Sequence, residues 1–292
     1  MLGYIFAVIS SLFFSLYIVP RKLSKLSAVI FSFFMTMGFA ISSVILYLFQ
    51  PLIHFHETIS LSLLWSVFAG VIWATSFVLF VSSIDEIGLS RSNQWKNLQG
   101  PVAVILSLLI LGEVATTNPF FALLAASAIF LSALFFSATS KNEKHIDRKG
   151  IYLAALSAVG FGSVAVIQKY VTSHVGIYSQ LLVWSLSIAL SLFIYILLKK
   201  DFNKIARSSK RDTFLGLGAG ILYLGASLFQ LFSYNYLAAS ISFTIIQMNT
   251  VWTIAIGILI FKEIDLKKYH KKVILGFVFT IIGIILLTFA RK

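Results

Sequence analysis

Asn93, Lys96, Asn97 and Gly100 stand at i, i+3, i+4 and i+7 in the stretch Gly88 to Pro101, which also carries Arg91, Gln94, Trp95 and Gln99 before turning apolar up to Gly112–Glu113. On a helix that spacing puts the four on one face. A charged group at the centre of a membrane span costs about 2.5–3.5 kcal/mol on insertion scales, so a lysine flanked by amides faces a cavity or a polar partner. Gln247 and Asn249 repeat the amides of Asn97 and Gln99 at an offset of 150. Amides donate and accept at once, which suits an uncharged polyhydroxylated solute. Trp73, Trp95, Tyr223 and Trp252 add flat apolar faces on which a sugar ring can stack, although core packing or an interfacial belt is the alternative for each. The expected substrate-binding set is Trp73, Asn93, Gln94, Trp95, Lys96, Asn97, Gln99, Tyr223, Gln230, Gln247, Asn249 and Trp252. Gln180 and Trp184 are weaker candidates, with bonding between helices as the alternative. Arg91, Gln168 and Lys169 lie near span ends and are expected to snorkel, Arg91 pairing with Asp85 or Glu86.

Several chemistries have no residues to run them. No Asp or Glu lies inside an apolar stretch, so an intramembrane carboxylate relay has no candidate. Glu113 and Glu263 close the fourth and ninth stretches and are the candidates for coupling or gating. The chain has no cysteine, which removes disulfides, thiolate metal sites and Cys nucleophiles. His54 and His56 stand in a connector without a second ligand set, so neither metal nor cofactor is expected. There is no Gly-rich phosphate loop with Lys to drive transport with ATP. A membrane-embedded enzyme would need acids, His or a metal cluster near an interface, and none is visible.

The elements that must position these residues are membrane helices. Of 292 residues 59% are hydrophobic and 11% charged, against roughly 45–50% and 25% in soluble domains. Apolar blocks of about 20 residues match the thickness of a bilayer core. Breaks at polar clusters, Pro and charge place spans near 3–19, 28–49, 61–83, 89–111, 119–138, 150–170, 177–198, 214–234, 238–261 and 273–290. The first is expected to be retained, because its basic residues Arg21, Lys22 and Lys25 follow it, the reverse of a cleavable signal.

The net charge of +13 would suggest nucleic acid in a soluble protein. Here 18 of the 23 Lys and Arg residues sit in the connectors Arg21 to Ser27, Ser140 to Lys149, Lys199 to Asp212 and Lys262 to Lys272. Those connectors share one face if the spans alternate, as does a short acidic turn at Asp85–Glu86. No nucleic acid is expected. Cytoplasmic loops collect Lys and Arg, so both termini are expected outside the cytoplasm, in a multi-pass plasma-membrane protein.

An offset of 150 aligns Gly70 with Gly220, Trp73 with Tyr223, Ser90 with Ser240, Ser92 with Ser242 and Glu113 with Glu263. An offset of 147 aligns Gly3 with Gly150 and Lys22 with Lys169. Five helices per copy force the copies to run in opposite directions, the inverted-repeat plan of many secondary transporters. The expected organisation is a first five-helix repeat over 1–140, a cytoplasmic linker over 141–149 and a second repeat over 150–292.

The run Gly88-Leu-Ser-Arg-Ser-Asn-Gln-Trp, ending at Leu111-Gly112-Glu113, resembles the end of the first repeat in the drug/metabolite transporter superfamily. The Trp73 region, the polar fourth span and the Gly-Glu ending resemble its glucose/ribose porter family. The resemblance covers the chain in length, span number and duplication, but in specific residues only the fourth span. It implies an all-α, ten-helix basket with a central substrate cavity and uptake of a sugar such as glucose, ribose or rhamnose, with or without protons. The second copy departs from it, ending Phe261-Lys262-Glu263, and Arg91, Trp95 and Lys96 are more cationic and bulky than a generic sugar site. The alternatives are an exporter of amino acids, metabolites or drugs, or a non-transporting receptor or scaffold.

Overall fold

The computed structural model describes residues 1–50, 59–87, 89–137, 147–261 and 266–292. Glu263, His54, His56 and residues 141–146 of the expected linker lie outside the described residues, as does the side chain of Arg91. Regular structure among the described residues is helical: α1 (Leu2–Leu16), α2 (Ile18–Leu23), α3 (Ala28–Phe49), α4 (Leu63–Ile87), α5 (Leu89–Lys96), α6 (Gln99–Ile110), α7 (Pro119–Ser137), α8 (Arg148–Thr172), α9 (Ile177–Leu198), α10 (Phe202–Ala206), α11 (Lys210–Tyr236), α12 (Ala239–Ile246), α13 (Asn249–Leu259) and α14 (Leu266–Ala290). Among the described residues eight stretches are long and apolar enough to cross a membrane: α1 with α2, α3, α4, α8, α9, α11, α12 with α13, and α14. α7 is a shorter apolar helix, and α5 and α6 form a broken segment between α4 and α7.

Local chemistry sets the helix ends. Ser209 accepts from Asp212 N at 3.1 Å and donates back to its carboxylate at 2.8 Å, starting α11. The other oxygen of Asp212 accepts from Lys25 N at 3.0 Å, which ties the first connector to that start. Gly112 takes a left-handed φ of 65° just past α6, where a side chain would be strained. The acidic turn expected at Asp85–Glu86 is instead the last turn of α4. Glu86 there pairs with Lys149 at 2.6 Å, and Ile87 packs on Gly150, so the helix runs on until the chain reaches α8.

The halves pack as related copies. α4 lies against α8 as α11 lies against α1; α4 meets α9 as α11 meets α3; α6 meets α8 as α12 and α13 meet α1. α7 and α14 pack on each other. The relation holds to single atoms. Ser83 Oγ donates to Gly150 O at 2.8 Å and lies 2.8 Å from Ser92 Oγ. At the opposite end Ser233 Oγ donates to Gly3 O at 2.9 Å and lies 2.7 Å from Ser242 Oγ. One trio is beside the lysine-rich connectors, the basic face. The other is beside both chain ends, the terminal face, where Asn118 N donates to Ala290 O at 2.7 Å. Matching trios at opposite ends are what two inverted repeats require.

Candidate functional site

Two layers of side chains lie where the halves meet. The first is aromatic. Trp73 of α4 and Tyr223 of α11, repeat partners, have ring centroids 5.9 Å apart. Phe161 stands edge-on to Trp73 at 5.9 Å and Phe14 edge-on to Tyr223 at 5.4 Å; Phe14 and Phe161 are themselves 147 residues apart. Phe77 stacks on Trp73 at 5.5 Å, while Tyr17 and Phe39 meet Tyr223 at 5.4 and 5.2 Å. Lys96 Nζ sits 5.3 Å from the Phe80 centroid and 5.6 Å from that of Phe161, so the ammonium rests on the negative faces of rings beside this layer.

The second layer is made of amides. Gln99 Nε2 donates to Gln247 Oε1 at 3.0 Å, joining the fourth and ninth segments. Asn97, Gly100 and Gln247, with Thr244 and Thr250, line a narrow cleft walled on the α7 side by Ala126, Ile129, Phe130 and Ala133, with about 260 Å³ of empty space including its open mouth. Asn97 Nδ2 is buried there without a protein partner.

The single polar face expected from Asn93 through Lys96 and Asn97 to Gly100 does not form, because the helix stops. α5 ends at Lys96 and α6 begins at Gln99, which sends Lys96 to the rings of α4 and α8 and Asn97 to the cleft beside α7. Pro101 has no N–H for Asn97 O, and Gly100 N takes that carbonyl at 3.3 Å instead. Proline is not the whole cause. The α12–α13 junction breaks in the same way, with Thr250 N on Gln247 O at 3.3 Å and Val251 N on Met248 O at 2.9 Å, although valine has an N–H to give.

The remaining expected residues scatter. Asn93 and Gln94 are half-buried on α5, and Trp95 is exposed. Trp252 Nε1 donates to Ser11 Oγ at 3.0 Å, joining α13 to α1. Asn249 is half-buried and accepts from Thr250 Oγ1 at 3.3 Å. Gln230 donates to Tyr234 Oη at 2.8 Å, nearer the terminal face.

Glu113, the candidate for coupling, is 7% exposed. It accepts from Ala239 N at 2.5 Å, Ser240 N at 3.0 Å and Ser240 Oγ at 2.7 Å, holding the first turn of α12. Lys169, expected to snorkel, donates to Tyr234 O and to Leu237 O, the carbonyls that end α11. An anion thus caps a helix start and a cation the preceding helix end, each complementing the helix dipole.

Reading the sequence for Trp, Tyr and amides missed Phe14, Phe77, Phe80 and Phe161. Among 28 phenylalanines none stands out by type, but Phe14 and Phe161 share the 147 offset of Gly3 and Gly150. The Ser83–Ser233 pair likewise sits at the 150 offset.

Residues 148–289 match the EamA-like transporter family. That second half of the chain therefore carries an EamA-like domain, of the drug/metabolite transporter superfamily, and with its apolar helices the protein is a multi-pass membrane transporter, not an enzyme. Among curated proteins it is similar to probable glucose uptake protein GlcU of Bacillus cereus, 24% identical over 264 residues covering 88% of each chain. GlcU of Bacillus anthracis is 24% identical over the same shares, and that of Priestia megaterium 25% identical over 77% of this chain and 79% of its own. A crystal structure of another protein superposes with a TM-score of 0.73, covering 98% of this chain and 96% of that one at 11% identity, a likeness of fold alone.

Proposed function

We propose that this protein is a secondary transporter that takes a carbohydrate of the glucose, ribose or rhamnose kind across the plasma membrane, its repeats 1–140 and 150–292 rocking about a site between them. The observation that carries the reading is the meeting of the two halves at one place: the repeat partners Trp73 and Tyr223 in one layer, and in the adjoining layer the Gln99–Gln247 amide pair that joins the fourth and ninth segments. Stacking faces beside groups that both donate and accept suit a sugar, whose ring faces are apolar and whose hydroxyls do both. The glucose uptake proteins of Bacillus and Priestia to which the chain is similar point the same way. Any proton dependence runs through Glu113 or Glu263, since protonating Glu113 would weaken its hold on α12.

Counterflow of labelled D-glucose, D-ribose and L-rhamnose in proteoliposomes, with amino acids as competitors, tests the reading. Asn97→Ala and Gln247→Ala should each weaken half-saturation by about 1–2 kcal/mol, the scale of a lost hydrogen bond. Lys96→Met keeps the stem packed on Phe80 and Phe161 and removes the charge, so unchanged sugar flux assigns the cation to packing. Flux of amino acids without sugars would replace uptake of carbohydrate by export of amino acids.

A further inference from the structure

Among the described residues, Gln168 Nε2 on α8, Trp184 Nε1 on α9 and Ser227 Oγ on α11 are buried polar atoms without a hydrogen-bond partner. Each of these residues is at most 2% exposed. Their neighbours are bonded to one another. Thr172 Oγ1 donates to Gln180 Oε1 and Gln180 Nε2 to Gln168 O, each at 2.9 Å, while Gln230 Nε2 reaches Gln168 Oε1 at 3.4 Å. Gln180 and Trp184 stand at i, i+4 on α9, and Tyr223, Ser227, Gln230 and Tyr234 at i, i+4, i+7 and i+11 on α11, so each set shares one face. The rings of Trp184 and Tyr223 meet at 6.3 Å, so these faces look at each other across the junction of the three helices.

The fold does not require this cluster, because the other half does without it. The repeat offsets put Arg21 in the place of Gln168 and Phe77, Phe80 and Ile84 in the places of Ser227, Gln230 and Tyr234. Aligning the starts of α3 and α9 puts Phe31 in the place of Gln180. There Arg21 lies 5.5 Å from the Phe31 centroid, Phe77 stacks on Trp73 and Phe80 carries Lys96. Apolar and cationic groups close the basic face, and neutral amides the terminal face. Unpaired buried donors disfavour the empty protein. Acceptors answer them, and the cluster has no charge with which to hold an ion: Lys169, next to Gln168, is committed to the end of α11.

Resting on the carbohydrate reading above, we propose that this cluster is where an uncharged polyhydroxylated solute is recognised from the terminal face. Gln168, Trp184 and Ser227 hydrogen-bond its hydroxyls as α8, α9 and α11 part to admit it.

The test is the thermal midpoint of the purified protein with rising D-glucose, D-ribose or L-rhamnose. Trp184→Phe and Ser227→Ala remove an unpaired group without breaking a protein hydrogen bond. Each should raise the midpoint of the empty protein and raise the sugar concentration for half-maximal stabilisation about tenfold, the scale of one hydrogen bond. If Trp184→Phe does not fold for want of ring bulk, Ser227→Ala, the smaller change, carries the same expectation. Variants that bind sugar as the parent does make the cluster packing between helices and overturn this inference alone. A parent that none of the three sugars stabilises overturns the carbohydrate reading and this inference with it.

Discussion

Glu113 ends an apolar stretch, and by position it reads as a candidate for coupling or gating. What it touches assigns a different duty. Three donors from the first turn of α12 converge on it, and hydrogen bonds to a charged group contribute about 1.5–3 kcal/mol. Glu113→Gln keeps the shape but turns an N–H₂ toward a donor, so we expect a loss of about 2 kcal/mol of stability. Lys169→Met, which frees Tyr234 O and Leu237 O, should cost about 1 kcal/mol. Thermal unfolding in detergent measures both. Unchanged midpoints would mean that neither group caps its helix end in the folded protein.

Between elements, backbone proximity decides more than side-chain chemistry. A Cβ at Gly220 would fall on backbone atoms of α3, at Met35, Gly38 and Phe39, whereas Gly218, two residues away on α11, has open space around it. Gly220→Ala must push α11 off α3 and should destabilise by about 2–3 kcal/mol, as overpacking does. Gly218→Ala should stabilise by up to about 1 kcal/mol through helix propensity. Gly70, the repeat partner of Gly220, faces Ser187 Cβ and Oγ at 2.5 Å, a small side chain, so Gly70→Ala should cost less than Gly220→Ala. Folded yield and thermal midpoint of the three variants test the ordering. Equal effects at Gly220 and Gly218 would deny the close approach of α3 and α11.

At the scale of the whole molecule the charge distribution and the packing agree on two unlike faces. Lys25, Glu86, Lys149 and Asp212 meet at one end, and Glu113, Lys169 and both chain ends at the other. Since cytoplasmic loops collect Lys and Arg, the basic face is expected inside and both termini outside. A C-terminal reporter active only in the cytoplasm should stay silent, and one inserted in the 199–212 connector should be active. The opposite pattern would invert the orientation and make the terminal face the cytoplasmic one.

The spans, the duplication and the basic connectors were legible in the sequence because each is a property of composition along the chain: apolar length, a repeated offset, charge between blocks. The meeting of Trp73 with Tyr223 agrees with the offset, since inverted copies bring partner positions to their common axis, whereas Gln99 meets Gln247, the partner of Asn97, and not its own partner Asn249. Only the tertiary structure decided what the polar residues touch. The helix break after Lys96 separates it from Asn97, and its occurrence at Gln247–Met248 without a proline shows that proline alone does not set it. The phenylalanines around Trp73, the burial of Glu113 and the unpaired donors at Gln168, Trp184 and Ser227 depend on neighbours from distant parts of the chain. A hydrogen bond or ring contact is a relation between two surfaces, and a linear pattern specifies only one of them at a time.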